Sequence, residues 1–152
     1  MQTNLANFVK KNQNSTEAEA ILRSCVHCGF CLATCPTYQL LGDELDSPRG
    51  RIYLMKQVLE GQAVTQKTQL HLDRCLTCRA CETTCPSGVR YRHLLDISRG
   101  IVEEKVARNR YSELKRFAIR KFLTSRSIFK FSVRIAQLLR AFMPAKLKAA
   151  IP

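Results

Sequence analysis

Eight cysteines stand in two runs of identical spacing. Cys25, Cys28, Cys31 and Cys35, followed by Pro36, read C-x2-C-x2-C-x3-C-P, and Cys75, Cys78, Cys81 and Cys85, followed by Pro86, repeat the pattern. Thiolates are soft ligands, and three of them this close in one loop can wrap three corners of an iron–sulfur cubane. In such runs the fourth cysteine starts the next segment and ligates the cluster held by the other run. The spacing therefore assigns Cys25, Cys28, Cys31 and Cys85 to one [4Fe–4S] cluster, and Cys75, Cys78, Cys81 and Cys35 to a second. That exchange would pin the runs together and place the clusters close enough for electrons to hop between them.

Other uses of these cysteines fit less well. Structural zinc commonly takes separated C-x2-C pairs, and a third tightly spaced thiol is awkward for a tetrahedral ion. Neighbouring cysteines at such short spacings seldom meet disulfide geometry. A [3Fe–4S] centre is disfavoured because none of the eight ligands is missing. Within the runs, Arg79 could favour the reduced state of the second cluster, or it could be a solvated loop charge. His27 could tune the first cluster or pass a proton, but with every ligand place filled by cysteine it reads better as a plain loop residue. No Ser/His/Asp set, phosphate-binding Gly loop or His-rich motif is present, so no substrate-converting site is expected on this chain.

The elements that must position these ligands read as helices. Residues 1–14 are polar and rich in Asn and Gln, expected as a flexible arm with a short helix near Leu5 to Val9. Thr16 and Glu19 suit a capping box for a helix carrying Ala20, Ile21 and Leu22 into Cys25. Ser47 and Pro48 provide a cap and a first-turn proline for a helix running to about Glu60. Ile52, Met55, Val58 and Leu59 give that helix its 3.6-residue period, and Gly61 ends it. A short helix over Gln66 to Leu72 leads into the second run. From about Arg92 a longer one carries Leu94, Leu95, Ile97, Ile101, Val102 and Val106. No segment alternates with the period of a strand. Compact bacterial ferredoxins place such runs on small hairpins with a shorter connection, so the helical insert between Pro36 and Arg74 favours a helical ferredoxin. Each proline after the fourth cysteine is expected to break any helix through the run.

Taken together, Cys25 to Tyr38, the segment Ser47-Pro-Arg-Gly-Arg-Ile52, and Leu72 to Val89 resemble the glycolate oxidase iron–sulfur subunit family. The likeness extends through Val102-Glu-Glu-Lys105 and more loosely into the basic tail. Cysteine runs alone are shared with many ferredoxins, heterodisulfide reductases and anaerobic glycerol-3-phosphate dehydrogenase subunits. Their combination with the Ser-Pro-Arg-Gly-Arg-Ile segment is narrower. The resemblance implies an electron-transfer subunit beside a flavin-binding subunit that oxidises glycolate to glyoxylate. It also implies some role for the Ser47–Glu60 helix, whose Arg49 and Arg51 could dock an acidic redox partner or simply be exposed on a packing helix. Members of the family continue into a larger C-terminal region with its own cysteine-rich repeats, and this chain is similar only to their N-terminal part.

The sequence has 25 Lys and Arg against 12 Asp and Glu, a net charge of +13, which implies an anionic surface or an acidic protein as partner. Ten of the basic residues follow Leu114, where no Asp or Glu occurs. Ile128, Phe131, Ile135, Leu138 and Phe142 stack on one helical face. Phe129, Val133, Leu139 and Met143 widen that face, and Lys130, Arg134 and Gln137 form a narrow polar stripe. Such a helix suits packing on another domain or the flavin subunit, and it also suits peripheral contact with an anionic membrane surface. Nucleic acid is the least suited partner, because no recognition motif accompanies the charge. No transmembrane helix is expected. Met1 to Lys11 lacks the apolar segment of a secretory signal, so a cytoplasmic chain is expected, with peripheral contact on the inner membrane face as a further option. The expected architecture is mainly α. It comprises an arm at 1–14, a two-cluster helical ferredoxin domain at 15–106, and basic amphipathic helices or a linker at 107–152. Two classes of function follow, an electron-transfer subunit of a glycolate, lactate, glycerol-3-phosphate or heterodisulfide oxidoreductase, and a nucleic-acid-binding module whose clusters serve structure.

Overall fold

A computed structural model describes residues 1–10 and 15–139, and among these every regular element is a helix. Two long helices, α4 (Pro48–Leu59) and α7 (Tyr91–Lys105), pack against each other at the centre. Helices α2 (Ser15–Ser24) and α5 (Gln66–Asp73) both pack on α7, and each delivers the chain into one cysteine run. The deliveries match, since Cys25 N–H bonds to Leu22 O and Cys75 N–H to Leu72 O, both at 3.3 Å. Leu22, Met55, Leu59, Leu72, Leu94 and Leu95 are fully buried between these helices. The architecture is thus helical throughout the cysteine-bearing region, and it is built as a repeat of helix, cysteine loop and long helix.

Helix α4 shows how the sequence sets an element. Ser47 Oγ accepts the Gly50 N–H at 2.9 Å, Pro48 fills the first turn, and the apolar period buries Ile52, Met55, Val58 and Leu59. At its end Gly61 takes a φ of 86°, with Gly61 N–H on Val58 O and Gln62 N–H on Gln57 O. That pair of bonds is the Schellman arrangement, which favours glycine at this position.

Several elements depart from the sequence expectations. Residues 1–9, read as part of a flexible arm, are packed down. Leu5 and Val9 enter the core, Ala6 N–H bonds to Leu59 O at 2.9 Å, and the short helix expected near Leu5 to Val9 forms as α1 (Asn7–Lys10). Apolar burial of two well-spaced side chains outweighs the polar composition that suggested a loose segment. Residues 11–14 of that arm lie outside the described residues. Thr16 lies inside α2, and Glu19 bonds Arg23 at 2.7 Å, so no capping box forms there. Pro36 starts α3 (Pro36–Leu41) as its first residue, and only Pro86 leads into a turn, so the two runs end differently. The 3-10 turns Phe30–Leu32 and Glu44–Asp46 and the short α6 (Ala80–Thr83) complete this part.

The chain divides into two compact units between Ala107 and Arg108. In the second, α8 (Arg110–Thr124) is capped by Asn109 and packs with α9 (Arg126–Leu139), where the rings of Phe122 and Phe129 meet edge to face at 5.8 Å. Ile128, Phe129, Phe131, Ile135 and Leu138 are exposed, so the apolar face read from the sequence is open within this unit. Phe142, Met143 and the basic residues Arg140, Lys146 and Lys148 lie outside the described residues, as does the side chain of Leu139. Among the described residues no helix is long and apolar enough to cross a membrane.

Candidate metal centre

Each cysteine run forms a loop with unusual backbone. His27 and Thr77, two residues after the first cysteine, have φ of 57° and 54°. Gly29 and Arg79, four residues after it, have φ of 86° and 63°. Left-handed residues placed this way turn successive N–H groups inward, the concave arrangement that receives anionic centres such as iron–sulfur clusters. The strain is tolerated at non-glycine residues in both loops. That the two unrelated sequences Val-His and Leu-Thr take the same path argues that a shared ligand dictates it.

Two cavities lie under these loops. The first is lined by Cys25, Cys28, Cys31 and Cys85, with Cys81 also at its wall. The second is lined by Cys75, Cys78, Cys81 and Cys35. The fourth cysteine of each run therefore sits in the other run's cavity, and Cys81 and Tyr91 border both. Pro48 also borders both cavities, so α4 enters the site at its capped end. The two loops are tied further by the Thr34 hydroxyl, which reaches Ala80 O at 3.5 Å.

The geometry separates a cluster from a lone ion. A tetrahedral zinc with bonds of about 2.3 Å needs sulfurs roughly 3.8 Å apart. Among the described residues no three cysteine sulfurs lie within 4.8 Å of one another. Thiols spread around a cavity fit a larger polynuclear centre. Burial pushes the Cys31 thiol up to about 11 and the Cys81 thiol up to about 12, with the neighbouring thiols adding to the effect. Cys25 is raised for the same reasons, although the His27 backbone N–H opposes the shift. Ionised ligands at these places need a multiply charged centre to offset burial and mutual repulsion, and iron provides it.

A buried polar network adjoins the second cavity, and sequence reasoning missed most of it. Arg51 is only 1% exposed and uses its whole guanidinium. Nε donates to His71 O at 2.7 Å, Nη1 to Thr37 Oγ1 at 3.0 Å, and Nη2 to Asp46 Oδ1 at 3.2 Å. Arg74 donates to Asp46 Oδ2 at 2.8 Å, and His71 Nδ1 lies 3.1 Å from Asp46 Oδ1. Burial raises the Asp46 carboxyl, but His71 and Arg74 outweigh it and hold the group below its ordinary value. Asp43, Asp46 and His71 lie close enough to suggest a cation site. Two guanidiniums already share the Asp46 carboxylate, however, so a further cation would be repelled.

The single-residue expectations divide. Arg51 is neither exposed nor a docking residue. It is a buried clamp between α3, α4, α5 and the Glu44–Asp46 turn. Arg49 does lie at the surface, paired with Glu44 at 2.8 Å beside the first cavity. Arg79 is largely exposed and paired with Glu82 at 2.8 Å, as a solvated loop charge would be. His27 is half-buried with its Nε2 unpartnered, and burial followed by Arg49 lowers its pKa. Tyr91 was not singled out in the sequence. Its hydroxyl lies 3.7 Å from Cys75 Sγ, and burial, reinforced by Cys75, drives its pKa well above the phenol value.

A helical repeat that crosses its fourth cysteines between two thiol-lined cavities has the ligand set of an iron–sulfur protein, and residues 21–89 match the family model of the 4Fe-4S dicluster domain. More particularly, the chain is 59% identical over all 152 residues to the glycolate oxidase iron–sulfur subunit of Escherichia coli strain K12, and covers 37% of that protein. It is 49% identical over 88 residues, 57% of this chain, to the probable glycolate oxidase iron–sulfur subunit of Bacillus subtilis strain 168, and covers 20% of it. The resemblance read from the motifs is therefore shown along the whole chain, which spans little more than a third of the longer match. No solved structure matches it.

Proposed function

We propose that this chain is the two-cluster electron-carrying part of a glycolate-oxidising complex. It takes electrons from a flavin-binding subunit and passes them on. The observation that carries this reading is the crossing of the fourth cysteines. Cys25, Cys28, Cys31 and Cys85 would hold one [4Fe–4S] cluster, and Cys75, Cys78, Cys81 and Cys35 the other. Each cluster when bound supplies one-electron chemistry, so a pair matches the two electrons released from glycolate at a flavin. The chain's own part is to bind, bury and hydrogen-bond the ligand sulfurs, and to keep water from the cavity walls with Pro48, Ile52 and Tyr91.

Both relatives are named as iron–sulfur subunits of glycolate oxidase, which supports glycolate as the electron source and a flavin subunit as partner. In the second unit, the open apolar face and its basic flanks suit packing on that partner or on another domain, in the cytoplasm. Peripheral contact with the inner membrane face is the competing use of the same helices. Iron and sulfide analysis tests the centres, with about eight of each expected for two cubanes. Two zincs without acid-labile sulfide would end the reading. Co-purification with a flavoprotein, and cluster bleaching when glycolate is added to the pair, tests the donor. Bleaching by lactate or glycerol 3-phosphate alone would reassign it.

A further inference from the structure

We propose that the second cavity houses the cluster of higher reduction potential, and that Arg51 is the positioning residue that sets this order. The inference rests on the ligand partition above. Among the described residues, side-chain hydrogen bonds to cysteine sulfur converge on that cavity alone. Arg51 Nη1 lies 3.9 Å from Cys35 Sγ, Thr37 Oγ1 lies 3.2 Å from the same sulfur, and the Tyr91 hydroxyl lies 3.7 Å from Cys75 Sγ. All three donors are buried.

The charges differ in kind between the two cavities. Arg51 and Arg74 share one carboxylate, that of Asp46, so the network is net positive even with His71 neutral. Arg51 and Asp46 are 1% and 0% exposed, where water screens little, while Arg74, 41% exposed, carries the surplus charge at the surface. The first cavity has cations too, but of another kind. Arg49 is 35% exposed and matched one to one by Glu44. The Met1 amine donates to the carbonyls of Arg23 and Cys25, which hold it in place and leave its charge uncompensated. Exposed charges on both sides are screened by water and salt, so the buried donors at Cys35 and Cys75 are what separate the two cavities.

Reducing a cluster adds negative charge to it and its sulfurs. Hydrogen bonds and unscreened positive charge at those sulfurs favour the reduced form and raise the potential. Thr37 adds a detail of proton accounting. Its hydroxyl accepts from Arg51 and lies 2.9 Å from Asp46 O, so its single proton can go either to that carbonyl or to Cys35 Sγ. A more negative sulfur is the better acceptor, so the hydroxyl turns toward it. Electrons entering at either cluster then collect on the one beside Arg51, which gives the relay a direction.

The test uses the 152-residue chain reconstituted with ferrous iron and sulfide, and starts with iron and sulfide counts. EPR-monitored redox titration then gives two midpoints, and Cys28→Ser and Cys78→Ser assign each signal to its cavity. Arg51→Gln should lower the midpoint of the second-cavity cluster, cutting its reduced-to-oxidised ratio about tenfold at fixed ambient potential, about 59 mV for one electron. The first cluster should stay put. Arg51→Lys should restore part of the shift, and Thr37→Val and Tyr91→Phe should each lower the same midpoint by less. If Arg51→Gln loses iron, the last two variants decide alone. An unmoved second midpoint with all iron retained, an equal shift of both clusters, or a higher midpoint in the first cavity overturns the inference and leaves the partition standing. An iron count below about eight in the unsubstituted chain overturns the partition itself, and the inference with it.

Discussion

At the scale of single residues, two glycines in long helices make opposite demands. Gly50 lies in the first turn of α4, where a Cβ would stand 2.0 Å from Glu44 O and 3.1 Å from Leu45 Cα. Both obstacles are backbone, so Gly50→Ala must push the Glu44–Asp46 turn away and should cost about 2–3 kcal/mol. Gly100, in α7, meets nothing within 4 Å. Gly100→Ala should stabilise by about 0.5–1 kcal/mol through helix propensity alone. Anaerobic urea midpoints of the loaded protein measure both. Asp46→Ala should be worse than either. It strands the buried Arg51 and should cost about 3–5 kcal/mol, whereas an exposed pair such as Arg23–Glu19 should give under about 1 kcal/mol. The cysteine ligands were legible because their meaning lies in local spacing. Arg51, Asp46, His71 and Tyr91 were not, because their partners lie up to 28 residues away and only the packing of α4, α5 and α7 brings them together.

At the scale of elements, legibility followed the strength of the local signal. Ser47-Pro48 at one end and Gly61 at the other marked α4 within a residue, because cap and glycine chemistry is set by immediate neighbours. Ser47→Ala should cost about 1–2 kcal/mol in the same urea titration, since it leaves the Gly50 N–H unbonded. The short α3 and α6 carried no periodic signal, because a single turn is too brief to show one. Pro36 does separate the cysteine run from the helix after it, and it also starts that helix. Its fixed φ and missing N–H suit that first-turn place, and Gly42 at φ 66° closes the short helix. The N-terminal segment did mislead. Its polar composition was real, yet Leu5 and Val9 sufficed to anchor it.

At the scale of the whole molecule, the cysteine-bearing unit and the basic helical unit should respond differently to loss of iron. The walls of both cavities come from α4, α7 and the two loops, so stripping iron with a chelator and oxidant removes what opposes the crowding of buried thiols. Hydrogen exchange should accelerate in α4 and α7 and leave α8 and α9 unchanged. Equal acceleration in both units would contradict the division at Ala107.

The crossing of Cys35 and Cys85 has one more consequence, for how the protein is filled. Placing the first centre fixes Cys85 and with it the end of the second loop, and the reverse holds for Cys35. Each occupancy therefore prepays ordering that the other would otherwise require, which is positive linkage between two binding events. A chain holding a single centre should be scarce at every iron concentration. Native mass spectra taken during reconstitution should pass from the empty to the doubly filled species with little between them.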